Sequence, residues 1–575
     1  MKAYTRVREY MTHLGEMSSD RWRYLVYTLS PREKRKIAVL LLIAAVIAFG
    51  ASMYEYWIVR DQGPARGGGY SEGIIGAPRF LNPILAFSSE ADRDATTLLF
   101  SGLTTYNEQG DLVGDLAEHY DIQNNGRVYE FTLKEGLTWS DGEPISADDV
   151  IFTIEAIQNP DYQSPLRSSW QGVRVEKIDD RRVRFTLSVP SYPFLANTTI
   201  GILPKHLWES IKPENASLAE LNVKPVGAGP YVVRRITKDV DGSIKVLELE
   251  RNPRYHRPVY IENLVLRFYG NEDELISALR KKEIEGISLF SPKAKDEIGG
   301  TAEIHRLTMP RYFAVFFNQG KNEVLKSIEI RRALAHATPR ERIISEVLSG
   351  EGNAQHGPIP SSFLPGDTSA TTYEYDLEAS RTILTDAGWQ DTNGDSIREK
   401  GGTELSFTLT TSDVPELAQT ASILKDEWEA IGVRVHLDIV PTATIQQQNI
   451  RTREYQALLF GEVLGLTLDP FAFWHSSQVK DPGLNLSLSQ SSKADELLES
   501  ARQELDEARR LQKYVEFQQL LSNELPAIFL YNPHYMYALP KSIKGFETAV
   551  IGHPAERFLH IANWYVQTSR KRSSE

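Results

Sequence analysis

Ile37–Tyr54 (IAVLLLIAAVIAFGASMY) carries no charged residue, and this run constrains the chain more than any other feature. Taken with Trp57, Ile58 and Val59, it is just long enough to cross a bilayer, which needs about 20 residues. Arg32, Lys34, Arg35 and Lys36 precede it, and the positive-inside rule puts that end in the cytoplasm. The reading is a basic cytoplasmic tail over 1–36 and one transmembrane helix over 37–59, with Tyr54, Tyr56 and Trp57 at the interface. The competing reading is a cleaved signal peptide, with Ala48-Phe49-Gly50 as the small-residue site. The long basic lead and the length of the apolar run favour the anchor. Everything after Arg60 then lies outside the cell or in the periplasm. A flexible linker is expected over 60–69, where Gly63–Gly69 reads GPARGGG.

The 575 residues hold enough apolar material, 41%, for large cores without staples. There is no cysteine, which excludes a disulfide framework, a thiolate metal site, a cysteine nucleophile and a lipid anchor on cysteine. The net charge is −13, although residues 1–36 are basic, so the remainder is strongly acidic. That balance argues against nucleic acid as a partner.

Local patterns give an α/β reading. Arg127–Leu133 and Arg181–Val189 alternate as strands. Ser146-Ala147-Asp148-Asp149 is a capping-box variant opening a helix over Ala147–Ile157. Thr338-Pro339-Arg340-Glu341 reads as a second start, with Thr338 as cap and Pro339 at the first position, for a helix to Leu348. Leu405–Thr410, Glu416–Ile431 and Val433–Ile439 form a strand–helix–strand crossover. Residues 492–523 read as two polar helices and Ala527–Tyr537 as one aromatic-rich strand.

Several segments, in order, resemble the periplasmic oligopeptide-binding proteins, the solute-binding components of ABC-type importers. They are Gly67–Pro83 (GGGYSEGIIGAPRFLNP), Leu137–Pro160 (LTWSDGEPISADDVIFTIEAIQNP), Val226–Tyr231 (VGAGPY) and Leu249–His256 (LERNPRYH). Phe316–Asn318, Ile330–Ala337 (IRRALAHA), Gly388-Trp389 and Asp469–Ser477 (DPFAFWHSS) follow. Each alone is turn and cap chemistry; their order over about 500 residues is the signal.

The resemblance implies a two-lobed periplasmic-binding-protein-like fold (type II), α/β, with an additional inserted domain, plus the one N-terminal transmembrane helix. It implies a first lobe over 66–108, 190–308 and 535–569, an inserted domain over 109–189 and a second lobe over 309–534. A ligand is expected between the lobes, which close by a hinge. The implied partners are a short peptide or other small solute, and ABC permease and ATPase subunits. A monomer with no cofactor and no metal is expected.

Peptide-binding relatives grip the backbone of the ligand by strand-like hydrogen bonds. Phe317 and Asn318 are expected at the lobe interface, with an ordinary buried strand end as the other reading. Trp389 lines the pocket or fills a core, and a buried aromatic favours the core. Asp469 and Trp474 belong to the matched stretch, where Asp469-Pro470 reads mainly as a turn. In those relatives an aspartate three residues before this Asp pairs with the ligand's amino terminus. The matching position here is Leu466, which has no carboxylate. Either Glu462 supplies one, or the ligand is not a conventional free peptide.

Asp391–Asp395 with Glu399 resembles half of a calcium loop, but position twelve is Gly402, and a polar turn is the plainer reading. Gly69-Tyr70-Ser71-Glu72-Gly73 matches the Gly-x-Ser-x-Gly pattern of hydrolases, yet a glycine-rich segment precedes it and no histidine has a recognisable context. No catalysis is expected. The chain lacks the phosphate-binding Gly-x-x-x-x-Gly-Lys-Ser/Thr loop, so a separate ATPase would drive uptake. A sensor or chaperone-like binder on the same fold remains the alternative role.

Overall fold

The computed structural model describes residues 30–54, 62–86, 89–288, 290–298, 300, 302–364 and 370–570, in two compact units. The interfacial aromatics Tyr56 and Trp57 and most of the basic tail lie outside the described residues.

The first unit contains a helix over Pro31–Tyr54, 24 residues or about 36 Å. It begins six residues before the expected start because Ser30 caps it. The Ser30 amide donates to Glu33 Oε2 (2.9 Å), and the Glu33 amide donates to Ser30 Oγ (3.4 Å). In the same unit Gln62–Ala65 pairs antiparallel with Gln567–Arg570. The expected free linker is therefore partly a strand. Its glycines read as flexible, but the partner backbone comes from the far end of the chain.

The second unit, Arg66–Val566, is built on two large mixed sheets. One has seven strands in the order Glu303–Leu307, Tyr535–Leu539, Gly286–Ser288, Gly69–Ile75, Asn263–Tyr269, Ile244–Arg251, Tyr231–Lys238. The other has six, in the order Gly352–Ala354, Ala527–Pro533, Arg311–Phe317, Ala457–Val463, Ser406–Ser412, Arg434–Val440. A separate antiparallel sheet of four strands (Ala117–Gln123, Val128–Leu133, Arg182–Thr186, Arg174–Lys177) packs against the helix Ala147–Gln158. That helix has its capping box, with the Ser146 amide donating to Asp149 Oδ2 (2.8 Å). The second expected start differs. The helix spans Arg340–Glu346, and the Thr338 hydroxyl donates back to the Leu334 carbonyl (2.7 Å) instead of capping forward.

The chain passes between the large sheets twice. It goes from Glu303–Leu307 to Arg311–Phe317 over Thr308–Pro310, and from Ala527–Pro533 to Tyr535–Leu539 across His534. The aromatic run expected as one strand is therefore two strands in different sheets. Asn532 Nδ2 donates to the Met309 carbonyl (2.9 Å), and Arg311 Nη2 donates to those of Pro533 (3.2 Å) and His534 (3.1 Å), tying the crossings together.

Burial divides the same way. One face of Arg311–Phe317 (Tyr312, Ala314, Phe316) packs with Trp474 and Phe529, while the other (Val315, Phe317) packs with Trp428 and Leu424. Beside the seven-stranded sheet Arg557 is fully buried between Glu72 (2.7 Å) and Asp94 (2.7 Å). Tyr70 and Tyr537 hydroxyls donate to the second Glu72 oxygen (2.8 and 2.6 Å). This satisfied network joins Gly69–Ile75, the helix Glu90–Leu99, Tyr535–Leu539 and the turn Pro554–Phe558.

Candidate functional site

Register places the carboxyl ends of the parallel strands beside the crossings. In the six-stranded sheet Ser406–Ser412, Arg434–Val440 and Ala457–Val463 run parallel, and Val463 lies opposite Arg311. In the other sheet Gly69–Ile75, Asn263–Tyr269 and Gly286–Ser288 are parallel, and Tyr537, two residues after the crossing strand begins, pairs with Ser288. Open α/β sheets bind ligands off the carboxyl ends of their strands.

One strand there has an open edge. Ala457–Val463 pairs with Arg311–Phe317 along its whole length, but on its other side it meets Ser406–Ser412 only at Leu409↔Ala457 and Thr410↔Leu458. The Leu464 amide donates to the Pro310 carbonyl (2.8 Å), which sets the phase of the antiparallel ladder. Phe460 and Glu462 therefore bond toward Arg311–Phe317, while the N–H and C=O of Gly461 and Val463 point to the splayed side. Thr411 Oγ1 bonds the Leu459 carbonyl (2.9 Å) and closes the near end. Among the described residues no backbone group pairs with Gly461 or Val463 on that side. A Cβ at Gly461 would lie 2.6 Å from Phe313 Cε1, so only glycine lets that ring, stacked on Tyr531, lie along the strand.

Glu462 stands on this edge with its carboxyl in the core of the sheet's other face, 5% exposed. The Tyr312 hydroxyl donates to Oε2, and Trp474 Nε1 donates to the Tyr312 oxygen (3.0 Å). Oε1 has no partner. An unmatched buried polar atom of this kind costs about 1–3 kcal/mol. Burial pushes the Glu462 carboxyl well above the usual carboxylate range, against the Tyr312 hydrogen bond and the charge of Arg453. The carboxyl thus has one satisfied and one free oxygen, and its burial disfavours the charged form.

The other expected residues divide. Trp474, 2% exposed, joins Glu462 through Tyr312 and supports it from behind. Phe317 and Asn318, expected either at the lobe interface or as an ordinary buried strand end, lie at the end of Arg311–Phe317 away from the crossings, six residues or about 20 Å along. The Phe317 ring is in the core, and the Asn318 side chain is used by the Arg453 carbonyl (3.1 Å) and the Gly320 amide (3.2 Å). Trp389 packs in the core on that far side, its carbonyl held by Arg398 (2.8 Å). Asp469 accepts from the Phe471 amide (3.2 Å) and pairs with Arg502 (2.9 Å), which makes it the anchor of a turn.

Leu466 sits in the turn after the open strand and reaches across to the segment following the seven-stranded sheet. A Cβ on Gly552 would lie 2.9 Å from the Leu466 amide nitrogen, 3.1 Å from Leu466 Cγ and 3.3 Å from Glu556 Oε2. Burial pushes the Glu556 carboxyl up to about 7. Leu466 is therefore a contact between the two halves rather than an ionic one. Tyr312 was not singled out from sequence, since nothing in the run RYFAVFF marks one aromatic over another.

Two sequence patterns resolve into ordinary structure. Asp391 oxygens accept the Gly394 (2.7 Å) and Ser396 (3.0 Å) amides, making a hydrogen-bonded turn. Ser71 lies inside the straight strand Gly69–Ile75 with its hydroxyl on Glu285 (3.3 Å), without the strand-to-helix turn a nucleophile elbow needs.

Known proteins share this framework. The family of bacterial extracellular solute-binding proteins, family 5 middle region, matches residues 111–484. The oligopeptide-binding protein AppA of Bacillus subtilis (strain 168) is 29% identical over 517 residues, covering 88% of this chain and 92% of that protein. The solved structure of AppA from Bacillus subtilis in complex with a nonapeptide superposes with a TM-score of 0.71 at 28% identity, over 88% of this chain and 100% of that one. NikZ from Campylobacter jejuni in complex with Ni(L-His) gives a TM-score of 0.71 at 26% identity, over 86% and 99%.

Proposed function

The chain belongs to family 5 of the bacterial extracellular solute-binding proteins, with their two-lobed type II α/β fold, and from that premise we propose that it captures short peptides for an ABC importer. The observation that carries this reading is the unpaired edge at Gly461 and Val463 beside the free oxygen of Glu462. An extended peptide adds to such an edge through its own backbone, which gives affinity without sequence preference. Its ammonium terminus meets the Glu462 carboxyl, which replaces the acid missing at Leu466. The lobes are 66–108, 190–308 and 535–569 against 309–534, with 109–189 inserted, and they close about Thr308–Pro310 and His534.

The protein catalyses no reaction in this reading, and a partner ATPase supplies the energy. The helix Pro31–Tyr54, with Arg32, Lys34, Arg35 and Lys36 in its first turns ahead of the apolar run, supports a single-pass anchor with the amino terminus in the cytoplasm and the rest outside. A non-peptide solute is the second reading, favoured by Leu466 and by the nickel–histidine complex held by NikZ.

Calorimetric titration with unrelated tripeptides separates the two. Micromolar or tighter binding of several, with little dependence on side chains, supports the peptide reading. No binding of any of them overturns it.

A further inference from the structure

Glu351 lies just before Gly352–Ala354 of the six-stranded sheet and is 4% exposed. Its carboxylate meets cations from the other half of the molecule. Lys295 Nζ lies 2.7 Å from Oε1, and Arg306 donates through Nε to Oε2 (2.7 Å) and through Nη2 to Oε1 (2.8 Å). Arg306 belongs to Glu303–Leu307 of the seven-stranded sheet, and Lys295 to the short helix packed with it. The third neighbour is His534 itself, the single residue of the second crossing. Its Nδ1 lies 3.4 Å from Oε2, and its amide donates to the Glu351 carbonyl (3.2 Å).

We infer that Glu351 is a latch across the hinge, which holds the lobes closed before any ligand arrives and thereby sets the affinity. A carboxylate withdrawn from water is stabilised only while its cations stay in place. Rotation about the crossings moves Lys295 and Arg306 with one sheet and Glu351 with the other, so opening breaks the pairs. The apparent affinity of a protein that binds in one form falls with the population of that form. The latch rests on the lobe-closure reading above, but not on which ligand is bound.

The chain has no cysteine. Lys281→Cys and Asp426→Cys, both at exposed positions on different lobes, therefore take a unique dye pair. Single-molecule energy transfer on the full-length protein in detergent, without ligand, reads the closed-to-open ratio. Glu351→Gln, Arg306→Ala and Lys295→Ala are expected to lower it at least about fivefold, with Arg306→Lys restoring part. Arg306 is half exposed, so its replacement leaves the fold intact even if Glu351→Gln does not. An unchanged ratio in both Arg306→Ala and Lys295→Ala overturns the latch. A lowered ratio in a protein that binds no peptide upholds the latch and overturns only the ligand reading.

Discussion

The Tyr312 hydroxyl donates to one oxygen of the Glu462 carboxyl and leaves the other without a partner, on the strand Ala457–Val463 whose far side is splayed beside the crossings. If that oxygen receives the amino terminus of a peptide, Glu462→Gln weakens binding of free-amine tripeptides by about 2 kcal/mol or more, roughly 30-fold. The same change has little effect on N-acetylated ones. Calorimetry on both series checks this, and equal losses for both would contradict it.

Protonation gives a second prediction. Burial pushes the Glu462 carboxyl well above the usual carboxylate range in the free protein, and the groups around it are Tyr312, Trp474 and Arg453. An ammonium beside the carboxyl favours its charged form, so binding releases protons from Glu462 rather than taking them up. Affinity for a peptide then rises with pH, by up to tenfold per unit, until the ligand amine itself deprotonates near pH 8. Titrations in buffers of different ionisation enthalpy count the proton. Uptake instead of release would be the wrong sign for this mechanism.

How much of this was legible in the chain depended on the range of the interaction. The Ser146–Asp149 box was readable because both partners lie within one helical turn. Thr338 was misread because its hydroxyl answers to Leu334 behind it, and the local pattern does not distinguish the two. Ala527–Tyr537 looked like a single strand because the change of sheet at His534 leaves the aromatic run uninterrupted. Counting back from Asp469-Pro470 gave Leu466, with Glu462 only as the carboxylate nearby. For Phe317 and Asn318 the lobe interface and a buried strand end stayed equally open, since a strand's direction relative to the crossings is a tertiary fact.

Gly552 provides a test of closure. Alanine there places a methyl 2.9 Å from the Leu466 amide nitrogen, a clash that exists only while the halves are in contact. Such overpacking costs about 1–3 kcal/mol. Gly552→Ala is expected to weaken binding about fivefold to a hundredfold and to raise the radius of gyration of the free protein in scattering. Unchanged affinity would remove Leu466 from the closing contact.

Arg557 stabilises the seven-stranded half. Arg557→Met leaves Glu72 and Asp94 buried without their cation and is expected to cost about 3–5 kcal/mol in urea unfolding. A loss below about 1 kcal/mol would show that the network is not what joins those elements.

Glu351 gives a pH signature. Its hydrogen bonds from Arg306 and Lys295 hold the carboxyl down at about 2, against an ordinary 4.5. A depressed folded value means that the stabilisation is complete above pH 4.5 and is lost as pH falls toward 2. Glu351→Gln should therefore cost about 1–2 kcal/mol at pH 7, after screening of its half-exposed partner, with the difference from wild type gone near pH 2. A difference that persists there would mean that the charge is not the source.

The most direct test of the central claim is mass spectrometry of small molecules released by gentle denaturation of the purified full-length protein. Short peptides of mixed sequence with free amino termini are the predicted result. A single defined non-peptide compound would contradict the account and leave Leu466 as the mark of a different specificity.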